Sequence, residues 1–345
     1  MSFQAATVPS HGGRVDWVDI AKGFCIIMVV MMHSTLGVEK AAGVDGWMHP
    51  LVEFARPFRM PDFFLVAGLF LARRIDRPWP EYMDRKVLHF AYFYVLWMAI
   101  QIFLKTGLNG DGGFRAIPGD LLFGLVQPYG TLWFIYLLPV FFVVTKCVRR
   151  VPPAIVLVIG ALLQVAQVET GWIVADEFAS RFVFFYAGYA LAPWIFSFAS
   201  RVRENPRIAL GGLILWALLN GWLVAEGLAD LPVVSLALAG LGAMAVVSGS
   251  ALLAGTFAAR PLRYCGENSI VIYLAFFLPM AVTRIVLLKL ELVPDIGTVS
   301  LIVTAAGVVG PLILYRIVRG TWFGFLFRRP GWARHRAARG LAPAE

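Results

Sequence analysis

The sequence predicts an all-α, polytopic integral membrane protein of about ten transmembrane helices, with both termini in the cytoplasm. Three observations predict it: an apolar excess too large for a soluble core, apolar runs that follow one another nearly end to end, and loop charges that alternate in character from run to run. Of the 345 residues, 59% are hydrophobic and only 15% charged, whereas roughly a quarter of a soluble domain is charged. The surplus apolar surface has to face lipid.

A spanning helix needs roughly 17–25 predominantly apolar residues. The runs that qualify are 18–38, 51–72, 87–105, 131–146, 152–168, 181–199, 208–226, 232–254, 267–288 and 297–318. With the N-terminus inside, the inner segments collect the basic residues: Arg14 and Lys22, then Arg73 to Lys86, Lys146 to Arg150, Arg201 to Arg207, Arg260 with Arg263, and a tail from Arg316 to Arg339. This is the positive-inside pattern, and one span more or fewer would put the Arg-rich tail outside. The net charge of +9 is therefore a topology signal and argues against a nucleic-acid partner; the partner it implies is the bilayer. The organisation expected is a cytoplasmic segment (1–17), one membrane domain (18–320) and a basic cytoplasmic tail (321–345) that anchors to anionic lipid. The outer segment 106–130 is rich in Gly, Pro and Asp and reads as a loop that could cover an outer-face site. No internal repeat stands out. Met1 to Asp16 is polar and no small-residue cleavage site follows the first run, so that run is expected to be retained. Cys25, Cys147 and Cys265 lie in or beside apolar runs and read as buried hydrophobes, with neither disulfide nor metal-ligand spacing.

Ionisable groups inside a span are costly and mark function or a structural pair. Asp19 and Lys22 stand three apart at the inner end of the first run, a spacing at which they pair. His33 lies eleven residues further, on the same face, about 16 Å deeper. A neutral imidazole there can serve as a general base; the alternative is a histidine satisfied by a neighbouring helix. In the second run, Arg59 and Asp62 have pairing distance in sequence, beside Pro57 and Pro61, which interrupt the helix. They suit either a site or an ion pair that locks two helices. Arg85, Lys86 and His89 make a cationic rim at the cytoplasmic start of the third run, suited to phosphate or to simple positive-inside anchoring. Trp133 opens the fourth run, where interfacial tryptophans also occur without chemistry. Glu267, Asn268, Ser269 and Tyr273 gather at the inner start of the ninth, where Glu267 and Asn268 could cap a helix. Arg181 and Arg284 sit near outer helix ends and could snorkel.

Taken in order, WVDIAKGFCIIMVVMMHS, FRMPDFFLVAGLF, LWFIYLLP and GENSIVIYLAF resemble the motifs of the acyltransferase-3 family of membrane acyl-CoA-dependent O-acyltransferases, over nearly the whole chain. The first is similar to the family's pattern of Arg or Lys followed by His after ten residues, here Lys22 and His33. Three departures stand out: Ala67-Gly68 where the family has Ser-Gly, Lys86 and His89 in place of an Arg-x-x-Arg, and Phe276 where a His is frequent. The resemblance implies an acyl-CoA co-substrate, acetyl-CoA first, and no metal. Its phosphates would lie near Lys22, Arg85, Lys86 and His89. His33 would be the general base, Arg59 an oxyanion stabiliser, and Asp19 the group orienting Lys22. It further implies an acceptor hydroxyl on an envelope carbohydrate or lipid-linked glycan, near Asp62, Trp133, Arg181, Asn268, Ser269 and Tyr273, in the bacterial inner membrane, with an oligomer allowed. The rival class is a transporter or flippase of a polar or lipid-linked substrate, which interrupted helices and buried charges also fit.

Overall fold

The computed structural model describes residues 15–107 and 113–333. Arg14, part of the predicted outer loop and the end of the basic tail lie outside the described residues. The α-helices are α1 (Asp16–Ala42), α2 (His49–Ala55), α3 (Arg59–Gly68), α4 (Trp79–Met83), α5 (His89–Ile102), α6 (Ile117–Val126), α7 (Trp133–Cys147) and α8 (Pro153–Val165). They continue with α9 (Ile173–Ala190), α10 (Ala192–Glu204), α11 (Pro206–Ala225), α12 (Pro232–Leu253), α13 (Arg260–Glu267), α14 (Ser269–Ala275), α15 (Phe277–Lys289) and α16 (Ile296–Val318). No strand occurs among the described residues, as the fold class requires.

Among the described residues, six helical stretches are long and apolar enough to cross a membrane, and eight if two bent pairs, α9 with α10 and α14 with α15, each count as one span. The other two predicted spans coincide with shorter pieces. One is α2 with α3, parted around Arg56–Phe58 where Pro57 cannot donate to the helical ladder. The other is the 13-residue α8. The bend between α14 and α15 is 52° and falls three residues before Pro279, whose missing N–H leaves a carbonyl of the preceding turn unbound. Helix α1 stops at Gly43, which takes the left-handed conformation (φ 73°) and donates its N–H to Glu39 O at 2.7 Å; a Cβ there would be strained.

The chain forms two compact units. The first comprises Met1–Phe70 with Ala187–Arg316, the second Leu71–Tyr186 with Ile317–Glu345. In the first unit α1 packs along α13, α12 and α3. Small residues permit this. A Cβ on Gly23 would collide with the Leu262 carbonyl, and one on Gly266 would collide with the Asp19 carbonyl and come within 2.8 Å of Gly23 N. In the second unit α5, α7 and α9 enclose a phenylalanine core, with Phe141 in ring contact with Phe178, Phe182 and Phe185. The chain between α4 and α5 passes through a π-helical turn, Asp84–Leu88.

The tail starts as part of this second unit. Tyr92 Oη donates to Phe325 O at 3.0 Å and Trp97 Nε1 to Leu326 O at 2.9 Å. Arg329, expected in a solvated anchor, is 7% exposed and donates to the Asp84 carboxylate at 2.6 Å and to its backbone carbonyl at 2.8 Å. Removing one member of a buried, hydrogen-bonded ion pair leaves the other charge uncompensated. Asp84→Ala is therefore expected to destabilise the protein by about 3–5 kcal/mol, read as a lowered unfolding temperature in detergent. An unchanged midpoint would show that the pair contributes nothing net. Cys25 and Cys265 are buried as predicted, whereas Cys147, the last residue of α7, is exposed although its neighbours Thr145 and Lys146 are buried.

Candidate functional site

The first unit holds the Lys22–His33 helix. Asp16 and Asp19 occupy the first turn of α1, where carboxylates complement the helix dipole. Lys22 Nζ donates to Asp19 Oδ1 at 3.0 Å, with Asp19 buried and Lys22 half-exposed. The pair expected from the sequence thus forms. Its place is fixed by the Gly266 contact against the Asp19 carbonyl. Above it, His33 is half-buried, and its ring lies 5.4 Å from that of Phe276, tilted by 33°. The position at which a histidine is frequent in the resembled family therefore carries a ring packed on His33 itself. Tyr273, buried in α14, stands 6.4 Å between ring centroids from Phe276, which lies at the junction of α14 and α15. Arg284 from α15 donates to Gly37 O at 3.1 Å; it clamps α1 rather than only snorkelling.

Arg59 and Asp62 are both buried in α3. They do not form the pair their spacing suggested: among the described residues neither oxygen of Asp62 has a hydrogen-bond partner. Asn268 stands at the junction of α13 and α14, but its side chain donates backward to Tyr264 O at 2.8 Å instead of capping α14. Ser269 is the first residue of α14, half-buried.

The second unit carries the remaining predicted residues. Arg85 lies 3.4 Å from Glu81, which also binds Arg77. Lys86 Nζ sits 4.3 Å above the Phe142 ring, a cation–π placement. His89 packs edge-on against Phe90 and Phe93. Burial, then the nearby charges of Arg77 and Arg85, hold the Arg74 guanidinium below its usual value. One glutamate thus serves a crowded set of cations, a field that attracts an anion. Arg74 and Arg77 belong to this cluster and were missed as candidates, because in sequence they read only as loop charge. Trp133 opens α7, half-buried. Arg181 is engaged by Glu177 at 3.1 Å one turn away.

A further group escaped the sequence. At the outer end of α1, the buried Glu39 accepts from Gly46 N at 3.0 Å and lies 2.8 Å from His49 Nδ1. The hydrogen bond to Glu39 raises the His49 pKa. The ten-residue separation, across a turn, has no periodic signature.

The comparisons with known proteins bear on this arrangement. The profile of acyltransferase-3, described as an acyltransferase domain, matches residues 15–316. The chain belongs to the acyltransferase-3 family. It is also similar to a protein described as inner membrane protein YcfT of Escherichia coli (strain K12), 23% identical over 232 residues. That alignment covers 60% of this chain and spans 64% of the length of its curated relative. No solved structure matches. The matched span begins one residue before α1 and ends inside α16, so it contains the Asp19–Lys22 pair, His33, Tyr273 and Phe276. This acyltransferase-3 protein is a multi-pass membrane protein by family and by its helices.

Proposed function

We propose that the protein is a membrane O-acyltransferase that moves an acyl group, acetyl first among candidates, from cytoplasmic acyl-CoA to a hydroxyl of an envelope carbohydrate or lipid-linked glycan in the bacterial inner membrane. The observation that carries this reading is a single helix, α1, with a carboxylate-held lysine near its inner end and a half-buried histidine eleven residues on. That rise of about 16 Å is one that the extended arm of CoA can bridge. Lys22 would hold donor phosphate, oriented by Asp19. The crowded cations Arg74, Arg77, Arg85 and Lys86 support a phosphate-rich donor independently.

In the reaction, His33 takes the proton of the acceptor hydroxyl as its oxygen attacks the thioester carbonyl. Arg59 stabilises the developing oxyanion. The carbon–sulfur bond then breaks, the ester remains on the acceptor, and the thiolate of CoA recovers the proton. No net proton or electron is gained or lost. Tyr273 and Ser269 of α14, with Asn268 just before it, are the candidates for lining the substrate route, and Asp62 from α3.

The deciding experiment uses purified full-length protein in lipid nanodiscs with acetyl-CoA labelled in the acetyl group. Free CoA appearing together with label in a lipid or glycan fraction is expected. Movement of a lipid-linked glycan across the bilayer with no CoA release would instead favour the transporter reading.

A further inference from the structure

Two apolar grooves on the first unit share a wall. The larger, about 500 Å³, opens between α10, α11 and α12, with Phe198, Ile208, Leu241 and Met244 among its sides. The smaller, about 190 Å³, reaches Ile20 and Phe24 of α1 and Leu262 of α13. Leu213, Trp216 and Ala245 line both, so these three form the ridge between the two slots. Trp216 is held in place by edge-to-face contacts with Phe54 and Phe58, at 5.6 and 5.1 Å.

The ends of the larger groove differ in chemistry. One end is closed by Arg201 and Asn205, at the turn from α10 to α11, on the side that loop charge assigns to the cytoplasm. Arg201 is exposed and has no carboxylate partner among the described residues; nor have Arg203 and Arg207, on the same turn. Glu204 is the one acidic residue in this stretch. From Asn205 to Trp216 is eleven residues of α11, about 16 Å, roughly half of the hydrocarbon thickness of a bilayer of about 30 Å. The grooves therefore run from the cytoplasmic interface to the midplane, the depth of one leaflet. A slot of several hundred Å³ is in the size range of built ligand sites.

We propose that the two grooves seat one diacyl anionic phospholipid of the cytoplasmic leaflet. Its phosphate lies at Arg201 and one chain lies on each side of the Leu213–Trp216–Ala245 ridge. Charge selects the headgroup: cations grouped at one end with a single acid among them favour an anionic lipid over a zwitterionic one. The ridge selects for two chains on one headgroup. The chain in the smaller slot packs against Ile20 and Phe24, so the lipid is part of the packing of α1. The inference is independent of the reaction proposed above.

The test uses the full chain in phosphatidylcholine nanodiscs doped with either brominated phosphatidylglycerol or brominated phosphatidylcholine. Bromine on the acyl chains quenches nearby tryptophan, and the difference between wild type and Trp216→Phe isolates the Trp216 signal. Brominated phosphatidylglycerol is expected to quench that signal at about fivefold lower mole fraction than brominated phosphatidylcholine, and Arg201→Gln to abolish the difference, as loss of one cation near the surface predicts. Equal quenching by both lipids would overturn the proposal in favour of an unselective lipid belt. No quenching of Trp216 by either would overturn it in favour of a protein occupant. Native mass spectrometry of wild type and Arg201→Gln gives an independent reading that does not require Trp216→Phe to fold: retained phosphatidylglycerol has to fall in the variant, and equal retention would refute the headgroup site.

Discussion

His33→Ala is expected to lower the acyl-transfer rate by about 10²–10⁴-fold, the usual contribution of a positioned general base. The Michaelis constant for acetyl-CoA should be nearly unchanged. The two effects separate because His33 lies about 16 Å along α1 from Lys22, so the donor's phosphate end does not sense its loss. The imidazole is half-buried, with its ring against Phe276. The stability cost should be small compared with the loss in rate, and a thermal melt beside each assay checks this. Lys22→Met is the mirror experiment: it should weaken donor binding and leave the rate at saturation largely intact. A His33→Ala protein that keeps the wild-type rate at saturating acetyl-CoA would remove His33 from the mechanism. Phe276→His makes a finer probe, since it places a second imidazole against the first and should alter the pH profile of transfer rather than abolish it.

Local pattern is what the chain exposes in its sequence, and the helices were legible for that reason. Each apolar run has a helical counterpart, and the Asp19–Lys22 pair forms because residues three apart share a helical face. The same rule failed for Arg59 and Asp62. Spacing allows a pair, but the rotamers taken inside a packed helix decide it, and there Asp62 is buried with both oxygens unbonded. Pro57 announced the break between α2 and α3, whereas the π-helical turn at Asp84–Leu88 has no comparable marker. The rest lay in contacts between residues far apart in the chain. Arg329 reads as one more basic tail residue until it meets Asp84, 245 positions away. Arg74 and Arg77 read as topology charges until they crowd Arg85 around one glutamate. Glu39 and His49 meet across a turn whose geometry, set by Gly43, periodicity does not encode. Of the candidate site, the α1 residues were legible, and the surroundings that hold them were not.

The strongest structural expectation concerns Gly266, noted in the sequence only as part of a motif. Gly266→Ala should lower stability and impair donor binding together. At this point α13 meets α1 backbone to backbone: an added Cβ would collide with the Asp19 carbonyl and crowd Gly23 N, neither of which is the movable end of a side chain. The helices have to part, and forcing extra volume into a packed contact costs about 1–3 kcal/mol. In a membrane, where close approach through small residues carries much of helix association, little else compensates. The displaced backbone is that of Asp19, which orients Lys22, so the Michaelis constant for acetyl-CoA should rise as well. Gly240→Ala supplies the control, because nothing lies within 4 Å of a Cβ there and alanine favours the helix by about 1 kcal/mol over glycine. Gly23→Ala meets the Leu262 carbonyl across the same interface. Once one substitution has separated the helices the second finds room, so the double variant should lose less than the sum of the two. If Gly266→Ala melts and binds donor like the wild type, the α1–α13 contact is not what holds Lys22 in place.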